Sequence, residues 1–395
     1  MHITSLTSHW RIPARSRPLY HGSDGRWHVT GYAEARALMM SDVRQAGFKA
    51  ETMQRIPQRM RIQKPVLFQD GAEHREQRTQ TARFFTPATV ESRHLPLMVT
   101  VADQIMDEIR RAGRVDLNHM AARMATGVVA EVVGLTETPL PDLARRLDRI
   151  LHANLDIGLS LARLPAYLNV QRLVFRFYRK DVLPAIRARR AAPKEDLISH
   201  LISKGRRDQD ILVECITYGA AGMVTTQEFI CVCAWHMLRE PALHERFVAG
   251  DREARRAILY ELLRIEPVVG HLFRRAASDL EIESEGEVVR IPAGAMIDLH
   301  IQEINADART VGEAPFDFSL ERSLEKGVNG AVMGFGSGPH RCVGEFLAIA
   351  ESQVFLERLM ALPGLRIVRE PRLGRNDSIQ GYELRDFLVE VESGG

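Results

Sequence analysis

A mainly α-helical fold with small β-sheets is what this 395-residue sequence predicts. Three observations carry it. Helical periodicity dominates residues 90 to 265, strand-like texture takes over between 276 and 300, and short β-rich runs recur towards both ends.

In chain order, Arg26–Thr30 reads as a short strand and Tyr32–Met40 as a short helix, with Gly31 between them. Residues 50 to 69, with Pro57 and Pro65, read as irregular. A helix begins at Asp70 and runs through His74, Arg78 and Ala82 to Phe85, where Thr86-Pro87 interrupts it because proline disfavours helix in the residue before it. The long helical region is broken near Pro139 and Pro141, near Pro165 and at Ala192-Pro193. Asp279–Glu283, Val288–Gly294 and Met296–Leu299, punctuated by Gly286, read as hairpin-forming strands. A further helix follows Gly344 towards Leu362, and Leu365–Val368 with Phe387–Val391 suggests a second small sheet. No repeat, linker or low-complexity tract interrupts the chain, which favours a single domain over residues 1–395.

Composition excludes several classes of function. With 53 basic against 51 acidic residues, the formal charge of +2 gives no reason to expect nucleic acid or an anionic membrane as partner. Clusters such as Arg187, Arg189 and Arg190, or Lys204, Arg206 and Arg207, read as solvated faces or loops. Four cysteines, at 215, 231, 233 and 342, are too few and too irregular for a disulfide framework, which fits a reducing compartment. Cys231 and Cys233 point in different directions on a helix and read as small core residues. There is no apolar leader and no apolar run of the roughly 18 residues needed to span a bilayer, so a cytoplasmic location is expected.

The most specific segment is Phe335-Gly-Ser-Gly-Pro-His-Arg-Cys-Val-Gly344, a glycine-rich turn that presents one thiol just before a helix. Glycines permit positive φ and close approach of the backbone to a bulky planar group. A helix N-terminus and neighbouring amides favour a thiolate. Those are the needs of a ligand that must stay an anion. A buried structural cysteine is the plain alternative, and a phosphate loop is a weaker one, since no Gly-Lys-Ser/Thr ending follows.

This segment resembles the haem-binding loop of the cytochromes P-450, F-G-x-G-x-H-x-C-x-G, at all six specified positions: Phe335, Gly336, Gly338, His340, Cys342 and Gly344. The resemblance makes Cys342 the axial ligand to iron and His340 a hydrogen-bond partner of a haem propionate. Other segments are similar to the family in the family's order. Glu261-Leu-Leu-Arg264 matches E-x-x-R, with Arg322 as a candidate third member of the same network; His74 and Arg78 match H-x-x-x-R, and Arg274 a second propionate arginine. Ala221-Gly-Met-Val-Thr-Thr226 resembles the oxygen-binding segment of the long helix, which implies catalytic roles for Gly222, Thr225 and Thr226. Val224 replaces the usual acid there, which puts the ordinary proton route in doubt.

The resemblance implies a triangular domain holding haem b (iron protoporphyrin IX) that uses O2 and two electrons to oxidise a small organic substrate. A separate ferredoxin and ferredoxin reductase would supply the electrons, docking on a basic face that includes Arg341. By family position the substrate pocket falls around residues 60 to 69 with Phe68, at Met223 and Val224, at Val268–Leu272 with Val269, and at 378–380 with Ile379. Hydroxylation in bacterial natural-product biosynthesis is the leading expectation. Oxidative carbon-carbon or carbon-nitrogen coupling, for example of an aromatic cyclodipeptide, is the alternative, and a non-catalytic haem sensor or ligand carrier is the rival from another class.

Overall fold

Apolar stripes at helical spacing decide most of the architecture. In the computed structural model, which describes residues 5–7, 17–47, 64–151, 164–377 and 379–392, helices dominate and small sheets lie at the margins, as the sequence predicts. The helices that build the site are α1 (Tyr32–Met40), α2 (Gly71–Ala82), α3 (Leu95–Ala112), α4 (Leu117–Val133), α5 (Asp208–Arg239), α6 (Arg252–Ile265) and α7 (Glu345–Met360).

Helix α3 shows the logic. Pro96 opens it, Met98, Val101, Ala102, Ile105, Met106 and Ile109 bury one stripe, and Gly113 ends it at φ +68° with its N–H returned to the Ile109 carbonyl at 2.9 Å. Helix α5, at 32 residues, is about 48 Å long and runs through the centre, packed along α4 and against α7. It is buried for most of its circumference, so any accessible side chain along it marks a cavity or the surface.

The largest sheet is ordered β1 (Leu19–His21), β2 (Trp27–Val29), β8 (Met296–His300), β5 (His271–Ala276), β3 (Val43–Gln45). Its β2–β8 pair is parallel and joins Trp27 to Ile297. Under it Val29, Ala35, Leu38, Met39, Ile297 and Leu299 form a second core, distinct from the main helical one. The expected hairpin is β6 (Leu280–Ser284) with β7 (Glu287–Ile291), turned through Glu285 and Gly286, both at positive φ. The C-terminal strands β9 (Arg366–Arg369) and β12 (Leu388–Glu390) pair as expected, and β4 (Arg114–Asp116) joins them. Strands β1, β3, β4 and β5, with the hairpin β10 (Arg372–Asn376) and β11 (Gly381–Arg385), were not anticipated. Each is three to six residues long and is fixed by a distant partner rather than by its own periodicity. Among the described residues no helix is long and apolar enough to cross a membrane.

Candidate active site

The cysteine loop leaves β8 and the short helices behind it and returns the chain to α7. Gly336 and Gly338 have φ of +70° and +67°, and a Cβ at Gly338 would lie 2.4 Å from the Met39 carbonyl oxygen of α1. No side chain fits there, so the glycine is required twice over. The turn is closed by the Cys342 N–H, which donates to the Phe335 carbonyl at 2.8 Å. Phe335 packs half-buried against the main core. Of the four cysteines only Cys342 is exposed; Cys215, Cys231 and Cys233 are fully buried in the helical core. Burial nevertheless pushes the Cys342 thiol up, opposed by the Gly344 N–H aimed at its sulfur and by the charges of Arg78 and Arg341. The thiol is thus accessible at its surface while protein surrounds it on most sides.

A buried ionic network holds the segment leading to this loop. Arg264 donates to both carboxylate oxygens of Glu261, at 2.7 and 2.8 Å, and to the carbonyls of Asn305 at 3.1 Å and Pro315 at 2.5 Å. Arg322 joins at 3.2 Å from Glu261 and donates to the Val311 carbonyl at 2.9 Å and that of Asp317 at 2.6 Å. The structure thus brings Glu261, Arg264 and Arg322 together. Asn305 completes the link: its side chain accepts the Met333 N–H at 2.8 Å and donates to the Arg264 carbonyl at 3.1 Å.

Comparison with known proteins agrees with that arrangement. The cytochrome P-450 family model matches residues 252–362, which contain both the ionic pair and the cysteine loop. Pentalenic acid synthase from Streptomyces avermitilis is 31% identical over 391 residues, covering 92% of this chain and 90% of the relative. The chain belongs to the cytochrome P-450 family. The biotin biosynthesis cytochrome P-450 of Bacillus subtilis is 26% identical, covering 89% of this chain and 87% of its own. The crystal structure of CalO2 superposes with a TM-score of 0.80 at 22% identity, covering 96% of this chain and 94% of that one, and shows the same fold. As a cytochrome P-450, this protein is a haem-dependent monooxygenase.

The residues of this cytochrome P-450 fit the haem that the family carries. A cavity of about 850 Å³ lies beside the cysteine loop, lined in part by Phe68, Asp70, His74, Arg274 and His340. Arg274 is only 3% exposed, and burial lowers its pKa to about 10. It donates to the Gln45 side chain at 2.6 Å and to its own strand at 2.8 Å. Half-buried Arg78 donates to the Arg341 carbonyl. Among the described residues neither guanidinium forms an ion pair with a carboxylate, and a buried cation without an anion is costly. Two propionates at this edge would neutralise both. His74 is buried, which lowers its pKa to about 4, and its ring stacks on His340 at 4.1 Å between centroids. The His340 Nε2 lies 3.4 Å from Asp70 Oδ1.

On α5, Ala221 is exposed and Gly222 and Thr225 are half-buried, whereas Met223, Val224 and Thr226 are buried. Thr225 Oγ1 donates to the Ala221 carbonyl at 2.6 Å. A Cβ on Gly222 would lie 2.3 Å from Val129 of α4, so close helix packing accounts for that glycine. Met223 and Val224, expected to line the pocket, are instead 1% and 5% exposed within the helical core. The helical advance of about 100° per residue carries Met223 to the side opposite Ala221, and Val224 off the accessible face the other way. Ile379 is likewise buried in the core, Val269 is half-buried beside Gly381, and residues 60–63 and 378 lie outside the described residues.

Thr226 turns away from Thr225 and towards Glu351 on α7, a residue the sequence reading missed. Glu351 is 1% exposed, and its Oε2 has no hydrogen-bond partner among the described residues. Burial holds its carboxyl well above the usual range, with Thr226 pulling weakly the other way. The signal was available: one acid, nine positions after Cys342, in the otherwise apolar run Leu347-Ala-Ile-Ala-Glu351.

Proposed function

We propose that this protein is a biosynthetic tailoring monooxygenase that binds haem b through Cys342 and inserts oxygen into a small organic substrate. The observation that carries the reading is the exposed Cys342 thiol with the Gly344 N–H aimed at it, together with Arg78 and Arg274, which form no ion pair with a carboxylate among the described residues. Bound there, haem supplies the activation of dioxygen. Cys342 holds negative charge against the cofactor, and the Gly344 N–H and the Arg78 charge offset the desolvation of that anion. Arg78, Arg274 and His340 would bind the propionates, with His74 orienting His340 by stacking.

Thr225 positions a hydroxyl at the accessible face of α5, and Glu351 stores a proton one residue further round. With Val224 where an acid is expected, Glu351 is the proton source this chain offers next to the threonine pair. The names of the two relatives, for pentalenic acid synthesis and biotin biosynthesis, support a biosynthetic enzyme over the sensor or carrier reading. The electron donor is a separate ferredoxin with its reductase. Arg341, foreseen on the docking face, is paired to Glu345 at 2.5 Å, so its charge is partly spent locally.

The test is the optical spectrum of the reduced carbon-monoxide complex. Wild-type protein gives the red-shifted Soret band of thiolate ligation, and Cys342→His gives the band of an imidazole ligand. A thiolate-type band that survives in Cys342→His would remove Cys342 from its role. Titration of the ferric protein with candidate polyketides, terpenes, fatty acids and cyclodipeptides then identifies the substrate class by a blue shift of the Soret band.

A further inference from the structure

The five-stranded sheet carries a cluster of histidines and aspartates that the haem site does not use. His28 on β2 and Asp298 on β8 are register partners, as are His271 on β5 and His300 on β8. Residues 298 and 300 share one face of β8 because side chains alternate along a strand. The three ligand-type atoms of His28, Asp298 and His300 all lie within 4.8 Å of one another. His28 Nδ1 is 2.8 Å from His300 Nε2, and His300 Nε2 is 3.7 Å from Asp298 Oδ2. A tetrahedral ion with bonds of about 2.0–2.1 Å sets its ligand atoms about 3.3 Å apart, midway between those two separations.

Outer contacts orient the ligands. His28 Nε2 lies 2.9 Å from Asp24 Oδ1, and the carboxylate accepts that N–H. This fixes the tautomer whose Nδ1 lone pair faces inward, where it accepts the His300 Nε2–H, a proton that a bound ion would displace to His300 Nδ1. On the other side His271 Nδ1 lies 2.8 Å from Asp298 Oδ1, which leaves Oδ2 for the centre. A carboxylate behind one imidazole and an imidazole behind the inner carboxylate are the supports that metal ligands require. Asp298 and His300 are buried, while the His28 side chain keeps 13% exposure and gives an ion a way in from the Asp24 side.

We propose that His28, Asp298 and His300 form a binding site for a divalent ion of the zinc class, with Asp24 and His271 as orienting partners and water as the fourth ligand. Two imidazoles and one carboxylate suit zinc better than calcium or magnesium, which prefer all-oxygen shells. The ion would tie β2 to β8 and, through His271, to β5, the strand that also carries Arg274.

The test uses haem-loaded protein stripped with a chelator and dialysed against micromolar Zn2+, with bound metal measured by plasma emission and thermal melting followed in parallel. Wild-type protein is expected to take up about one Zn2+ per chain and to melt higher with it. His28→Gln and His300→Gln lose that equivalent. Asp24→Asn, on an exposed side chain whose loss does not threaten the fold, weakens zinc affinity about tenfold by freeing the His28 tautomer. His21→Gln on the neighbouring strand changes nothing. No uptake by wild-type protein at 100 µM Zn2+, or full uptake by His28→Gln, overturns the proposal; the haem spectrum reports separately on the cysteine site.

Discussion

Arg274 and Glu351 are buried for opposite reasons of charge, and each makes a single-residue prediction. Burial draws the Arg274 pKa down to about 10, so the fold holds a cation where it is poorly solvated. Arg274→Met removes that cost and also a propionate partner. The expected result is a chain that keeps its helical circular dichroism and loses haem at least about tenfold faster to a haem-scavenging protein. Unchanged haem loss would show that Arg274 is structural. Burial favours the protonated form of Glu351, beside Thr226. In Glu351→Gln the shape is retained and the proton is lost, so product formed per reducing equivalent should fall several-fold while substrate affinity, read from the Soret shift, stays the same. Equal coupling in variant and wild type would leave proton delivery to water and Thr225. Cys342 and the two arginines were legible in the sequence because the chemistry is written in a contiguous loop and at short spacings. Glu351 gave only the local signal of an acid in an apolar run, and its meaning depends on Thr226 of a helix that is more than a hundred residues away.

At the scale of elements, the segment before α2 is fastened to α5 by one carboxyl. Glu214 accepts the Val66 N–H at 3.1 Å and the Gln77 side-chain N–H at 2.6 Å, and burial raises its pKa from 4.5 to about 7. A group whose folded pKa is raised binds more protons in the folded state, so its contribution is full below about pH 4.5, is lost as pH rises and is gone above about pH 7. The most this shift can contribute is on the order of 3 kcal/mol. Glu214→Gln should therefore flatten the dependence of melting temperature on pH between about 5 and 8, and a profile parallel to wild type would assign the latch elsewhere. The helices themselves were readable to within a few residues: Tyr32–Met40 coincides with α1, and the helix after Gly344 is α7. Their stops are local, at Ser41 after α1 and just before Pro363-Gly364 after α7. Strands β1, β3, β4 and β5 were not, since β3, for example, acquires its identity only by lying beside β5.

Across the whole molecule the N-terminal residues, the central helix and the haem-side sheet meet at Glu266, which no local pattern announces. Its carboxylate is fully buried and accepts the Leu6 N–H at 2.6 Å and the Thr7 hydroxyl at 2.5 Å, with His236 of α5 at 3.5 Å. Gln302 donates to the same Thr7 oxygen at 2.7 Å and to the Ile265 carbonyl at 3.3 Å. Burial alone would raise the Glu266 pKa, but His236, Thr7 and Ser5 hold it below 4.5. A depressed carboxyl contributes stability above its unfolded pKa and loses it as pH falls through the folded value, the reverse of Glu214. Stability should therefore decline on both sides of the weakly acidic range, from Glu266 in acid and from Glu214 towards neutrality. Thr7→Val keeps the volume and removes one donor, leaving a buried charged oxygen short of a partner at a cost of about 1–3 kcal/mol. The melting temperature should drop by a few degrees, with the larger deficit at pH 7 than in acid well below the usual carboxylate range, because only the ionised carboxylate needs that donor. A deficit of the same size at both values would mean that Thr7 acts by packing, and that these residues are held to the core by contact rather than by the charge beneath them.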